Sequence, residues 1–165
     1  MDRLTSLMLR AALIWLLAGF VIGAAMLVDR ELPGSWRLWL APGHGHMLFI
    51  GWFLQFAIGV AYWLLPRKRT PERPLGYHEP LALFAAGALN LGLVIRVTGE
   101  IAERTGHASD ASLALLGAAA ILQVGAASIF VAQIWPRVGP RPIRQKSAPA
   151  RDPHSTHVAE HDASP

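Results

Sequence analysis

The sequence predicts an all-α membrane protein, a four-transmembrane-helix bundle with both termini on the inner side and a disordered C-terminal tail. Three observations predict it. The apolar residues, 53% of the 165, are gathered into four stretches, 11–28, 43–65, 80–95 and 111–135, where a spanning helix needs roughly 20 such residues. Lys and Arg crowd the borders of those stretches rather than their interiors. Pro- and Gly-rich segments punctuate the chain between them. Helices rather than strands are expected, because an isolated apolar strand cannot satisfy its backbone in lipid.

The first helix, about 7–28, reaches spanning length by including Leu7 to Leu9, with Arg10 snorkelling to the interface. A cleaved signal peptide is the competing reading, from the basic start and the small run Gly23-Ala24-Ala25, but the apolar core is long for one. The second helix is expected at about 43–65: Ala41-Pro42-Gly43 reads as a break before it, and Pro66 ends it. The third, about 80–99, spans only if it continues past Arg96. The fourth, about 111–135, has Ser109 or Asp110 as its cap and Pro136 as its stop. Residues 1–138 thus form one four-helix domain. Residues 139–165, rich in Pro, charge and small polar groups, cannot bury enough apolar area to fold alone.

Charge sets the orientation. With the N-terminus inside, the inner segments carry eleven basic residues (Arg3, Arg10, Arg67, Lys68, Arg69, Arg73, Arg137, Arg141, Arg144, Lys146, Arg151) and the outer ones four (Arg30, Arg37, Arg96, Arg104). That is a positive-inside bias with both termini cytoplasmic. Basic residues at membrane edges are topology signals, which argues against nucleic acid as a partner and for lipid. The absence of cysteine excludes disulfides, thiolate metal sites and thiol catalysis. No nucleophile triad, phosphate loop or paired carboxylate suggests an enzyme, and no broken helix or repeat suggests a transporter.

The chemistry-bearing residues gather near the outer side. His44 and His46 open the second span. Two residues apart on a regular helix, they point about 200° apart and cannot hold one metal together. At helical spacing His44 shares a polar stripe with Gly51, Gln55 and Tyr62, whereas His46 shares an apolar face with Phe53, Ala57, Val60 and Leu64. His44 is therefore the better candidate for an inward ligand, with His46 the alternative; both at the interface, bonded to water or headgroups, is the bland reading. Gly19, Gly23, Gly87, Gly117 and Gly125 are expected at helix contacts, and Asn90, Gln123 and Gln133 as interhelical hydrogen bonds. No span is expected to bury a carboxylate. The tail histidines His154, His157 and His161 read as solvated.

The run HGHMLFIGWFLQFAIGVAYWLLP, residues 44–66, resembles the second transmembrane helix of the heme–copper oxidase large-subunit (subunit I) superfamily. His44-Gly45, Gly51-Trp52, Gly59, Tyr62 and Pro66 carry the resemblance. The opening HxH and Met-Leu are also similar to NnrS-like membrane proteins tied to nitric oxide stress. The resemblance covers about 25 residues, and the chain has four helices where the family's large subunit has about a dozen. The later helices, with the second axial histidine and the oxygen-reducing site, have no counterpart here. What the resemblance implies is a short stand-alone member binding heme b, with His44 or His46 as axial ligand to the iron. Arg96 is a candidate partner for a propionate, or for Glu100 one turn on. Met26, His107 or a histidine from a second copy are candidates for the opposite ligand. The implied role is electron transfer, gas sensing or an accessory part in a respiratory or denitrification complex, as a homodimer or within a larger assembly of the bacterial inner membrane. A heme-free scaffold or assembly partner is the alternative.

Overall fold

The computed structural model describes residues 1–28, 36–107 and 109–139; the expected tail beyond residue 139 and its histidines lie outside the described residues. The described chain contains four long helices and no strand: α1 (Arg3–Val28), α2 (Trp36–Leu64), α3 (Glu79–Arg104) and α4 (Asp110–Ile134), the last followed by one 3₁₀ turn, Trp135–Arg137. All four are long and apolar enough to cross a membrane. The fold class is therefore the one the sequence predicts, an integral membrane bundle.

Helix α2 departs furthest from expectation. It begins at Trp36, not at residue 43, and runs through Pro42. Proline lacks the N–H that would bond to the carbonyl four residues back, that of Leu38. Here the Arg104 guanidinium donates to the Leu38 oxygen at 3.3 Å, so the orphaned acceptor is satisfied from α3 and the helix need not stop. Between Met47 and Leu54 the helix widens into a π-type segment, then returns to α geometry from Gln55 to Leu64. Leu65 turns extended, as a residue before proline must, and Pro66 ends the span as expected.

The other ends follow local chemistry. α1 starts earlier than expected because Asp2 caps it, its carboxylate accepting from the Thr5 N–H at 2.9 Å. α3 opens with His78 as cap, Nδ1 accepting from the Leu81 N–H at 3.3 Å, and continues to Arg104, well past residue 99. Of the two caps proposed for α4, Ser109 is the one used, in a reciprocal box with Ser112 at 3.2 and 2.9 Å.

The centre of the bundle is one stripe of α2. Gly43, Met47, Gly51, Gln55, Gly59 and Tyr62 are buried, and they recur every four residues until the last step. A four-residue repeat drifts around a regular α-helix; the wider π turn turns back that drift and holds the stripe on one face. At Gly51 an added methyl would lie 2.6 Å from Trp15 Cγ and 2.8 Å from Leu93 Cδ2, so α1 and α3 close on α2 through the missing side chain. Gly19 of α1 likewise receives Leu48, and Gly23 receives the His44 ring. The α3–α4 contact is made by Gly92 against Ala119 and by Gly99 against Leu116. The expected contact glycines Gly87, Gly117 and Gly125 face open space instead. Small residues permit approach on any face; which face is used depends on the partner.

Polar bonds reinforce the seams. Trp15 Nε1 donates to Asn90 Oδ1 at 2.8 Å and Gln55 Nε2 to the Met8 carbonyl at 3.3 Å. Gln133 makes no interhelical bond, contrary to expectation: its side-chain amide has no hydrogen-bond partner in the described structure. At the basic end, Arg137 is 3% exposed and donates to the carbonyls of Tyr62, Leu65 and Pro66 at 2.9, 2.7 and 3.1 Å. It thereby closes the C-terminus of α2, where a cation also suits the helix dipole. The guanidinium lies over the rings of Tyr62 and Tyr77, whose centroids are 4.8 Å apart. Asp2 pairs with Arg67 at 2.8 Å beside it.

Two outcomes are expected. Gly51→Ala should destabilise the detergent-solubilised protein by about 1–3 kcal/mol through overpacking, whereas Gly125→Ala should change its melting temperature little; equal effects would contradict the assigned seam. Acidification should weaken the basic end. Burial alone would raise the Asp2 pKa, but its hydrogen bonding to Thr5 and the charge of Arg67 outweigh burial and hold it below the ordinary carboxylate value. Such a depressed acid stabilises the fold above its unfolded value, about 3.9, and loses that contribution as pH falls through the folded value. Thermal melts from pH 6 to pH 3 should show this loss, and Asp2→Asn should remove that part of the pH dependence.

Candidate functional site

The extra N-terminal turns of α2 move His44 and His46 from the head of a helix to its third turn. They straddle the buried stripe, His44 one residue after Gly43 and His46 one residue before Met47. His44 therefore turns towards α1 and His46 towards α3.

The His44 ring rests on the glycine face of α1. Its Nδ1 is 3.0 Å from the Gly19 carbonyl oxygen, and Cε1 would be 2.9 Å from a methyl placed on Gly23. A carbonyl oxygen only accepts, so Nδ1 is the donor, and in the neutral ring the lone pair lies on Nε2. The expected polar stripe of His44 with Gly51, Gln55 and Tyr62 is not one face. Those three are buried, whereas His44 flanks them, because the π segment alters the rotation between residues 44 and 55.

His46 does not face an apolar surface as its spacing suggests. Nδ1 is 3.1 Å from Glu100 Oε2, the two side chains being 26% and 15% exposed. Glu100 also accepts from Arg96 Nε at 3.0 Å, and Arg96 Nη1 donates to Gln123 Oε1 at 3.3 Å. A connected line of four side chains thus runs from α2 through α3 to α4. What sequence reasoning missed is the contact of Glu100 with His46: ending α3 at residue 99 left Glu100 in a loop, weighed only as a partner for Arg96, and the side chain is part-buried against α2. Of the two partners weighed for Arg96, the structure provides Glu100.

The remaining candidates do not join this network. Met26 lines a shallow groove with Gly23, Leu27 and Arg37 at the C-terminal end of α1. His107 is exposed in the turn after α3, its Nδ1 3.1 Å from Thr105 Oγ1. Among the described residues no group of three or more His, Cys, Asp or Glu side chains gathers as a metal site. What the arrangement offers is two imidazoles, each held through Nδ1 with Nε2 on the opposite edge. No protein-family model matches the chain, and comparison with curated proteins and with solved structures returns no match.

The network should behave as a coupled unit. Glu100→Gln keeps the shape but removes the charge that faces Arg96, and should cost roughly 1–2 kcal/mol of stability given the partial exposure. Combined with Arg96→Met, the total loss should fall short of the sum of the single losses by about 0.5–1 kcal/mol in a double-mutant cycle. Strict additivity would show that the two side chains act independently.

Proposed function

We propose that this chain is a heme-b-binding membrane protein, with His44 as axial ligand and His46 as its alternative. The observation that carries the reading is the orientation of the rings. Each imidazole is fixed through Nδ1, to a backbone carbonyl for His44 and to a carboxylate for His46, which is how ligating histidines are held in place with Nε2 free for the metal. The donor set therefore fits a heme iron. The propionate role is less well served by Arg96, which is already bonded to Glu100 and Gln123. When bound, heme b supplies a one-electron iron centre that can also take diatomic gases. The chain's own part is to fix the ligand's tautomer and direction and to hold it among apolar helices.

The resemblance of residues 44–66 to the second helix of heme–copper oxidase large subunits supports the same reading, and with it an electron-transfer, gas-sensing or accessory role in a respiratory or denitrification system. The basic asymmetry supports a bacterial inner membrane with the Asp2, Arg67 and Arg137 end facing the cytoplasm. The histidines then lie near the outer surface.

A heme-free scaffold is the second reading, and one observation favours it. His44, His46, Glu100, Arg96 and Gln123 all find partners within the chain, so they tie four helices together without any ligand.

Optical spectra of the detergent-purified protein, oxidised and reduced, with heme supplied during expression, decide between them. The first reading expects a Soret band that His44→Ala abolishes or reshapes while the protein still inserts, with a smaller effect from His46→Ala. A colourless wild type would establish the scaffold. Unchanged spectra in both variants would place the ligand elsewhere.

A further inference from the structure

The lipid-facing side of α1 changes character along its length. Arg3, Leu7, Arg10, Ile14 and Leu17 fall on one stripe at intervals of three and four residues, and all but Leu17 line a single open groove, which also takes in Ser6 and Ala11. The stripe is exposed: Leu7 is 44%, Ile14 69% and Leu17 66% accessible. Asp2 also borders the groove, but its carboxylate is committed to the Thr5 N–H and to Arg67. Arg3 and Arg10 have no ion-pair or hydrogen-bond partner among the described residues. The neighbouring basic residues are placed differently: Arg67 is paired with Asp2 and Arg137 closes α2.

We infer that this groove is a binding site for one anionic phospholipid. The headgroup phosphate would lie between Arg3 and Arg10, with the Ser6 hydroxyl as a further donor, and an acyl chain would descend along Leu7, Ile14 and Leu17. Charge complementarity selects the occupant. The two arginines stand two turns apart on one face, about 10 Å along the axis, and the long Arg10 side chain, leaning toward the N-terminus, can reach back toward Arg3. A second protein copy would have to bury these cations in hydrocarbon against an apolar surface, which is costly. A phospholipid instead offers a phosphate at the depth of the guanidiniums and hydrocarbon at the depth of Ile14. The site does not depend on heme binding, and it lies at the opposite end of the bundle from His44.

The test titrates the full-length protein in detergent with dioleoylphosphatidylglycerol or dioleoylphosphatidylcholine, counting bound lipid by native mass spectrometry. The wild type should retain phosphatidylglycerol in preference to phosphatidylcholine. The pair Arg3→Gln and Arg10→Gln should weaken phosphatidylglycerol binding roughly 25-fold, from about fivefold per basic residue near a charged headgroup. The pair Lys68→Gln and Arg69→Gln removes equal charge from exposed positions at the same end, outside the groove, and should leave binding within about twofold. Circular dichroism confirms that each variant keeps its helices. Equal losses from both pairs would reduce the effect to net charge and overturn the site. So would equal retention of the two lipids by the wild type, or release of bound phosphatidylglycerol by millimolar inorganic phosphate alone.

Discussion

The rest of the bundle depends on the close approach of three helices at Gly51. Lipid tails are as apolar as leucine, so helices in a membrane gain little from hiding apolar surface and associate chiefly through van der Waals contact and hydrogen bonds. Contact of that kind needs backbones to come near one another. At Gly51 the absent side chain admits Trp15 from α1 and Leu93 from α3 at once. That contact aligns α1 and α3, whose shared bond from Trp15 to Asn90 then forms across the seam. The π segment serves the same contact, since it keeps Gly43, Gly51 and Gly59 on one face over four turns.

Both ends of α2 are closed by arginines from other helices. Arg104 takes the carbonyl that Pro42 orphans, and Arg137 takes three carbonyls at the C-terminus. A backbone oxygen left unpaired where water is excluded costs several kcal/mol, so the buried Arg137 acts as a structural cap, while Arg104 bonds an exposed carbonyl. The basic residues counted as topology signals therefore divide into separate roles. Arg137 and Arg104 satisfy backbone, Arg67 and Arg96 pair with carboxylates, and Arg3 and Arg10 have no ion-pair or hydrogen-bond partner among the described residues.

The histidines inherit their surroundings from this architecture. His44 meets α1 only because Gly19 and Gly23 leave room for a ring, and it takes its hydrogen-bond partner from the same glycine face. His46 meets Glu100 only because α3 continues a turn beyond the apolar stretch. The result is a polar layer near one surface that is compatible both with holding a metal-bound cofactor and with binding the helices to one another. Ring orientation is shared by the two roles. Only the occupancy of Nε2 distinguishes them.

The sequence by itself determined that the described residues hold four helices long and apolar enough to cross a membrane, because span length and apolar content are properties of each segment alone. It also determined the ends that local chemistry writes, such as the Ser109 box and the stop at Pro66. Only the tertiary structure decided where α2 begins, since the fate of Pro42 rests on a guanidinium 62 positions away in sequence. It likewise decided which glycines make contacts, Gly92 and Gly99 rather than Gly117 and Gly125, because a small residue is an opportunity that only a partner helix realises. The faces of His44 and His46 could not be read from ideal periodicity for the same reason. The π segment between Met47 and Leu54 changes the rotation per residue, and helix packing against Trp15 and Leu93, rather than any local motif, is what that segment accommodates.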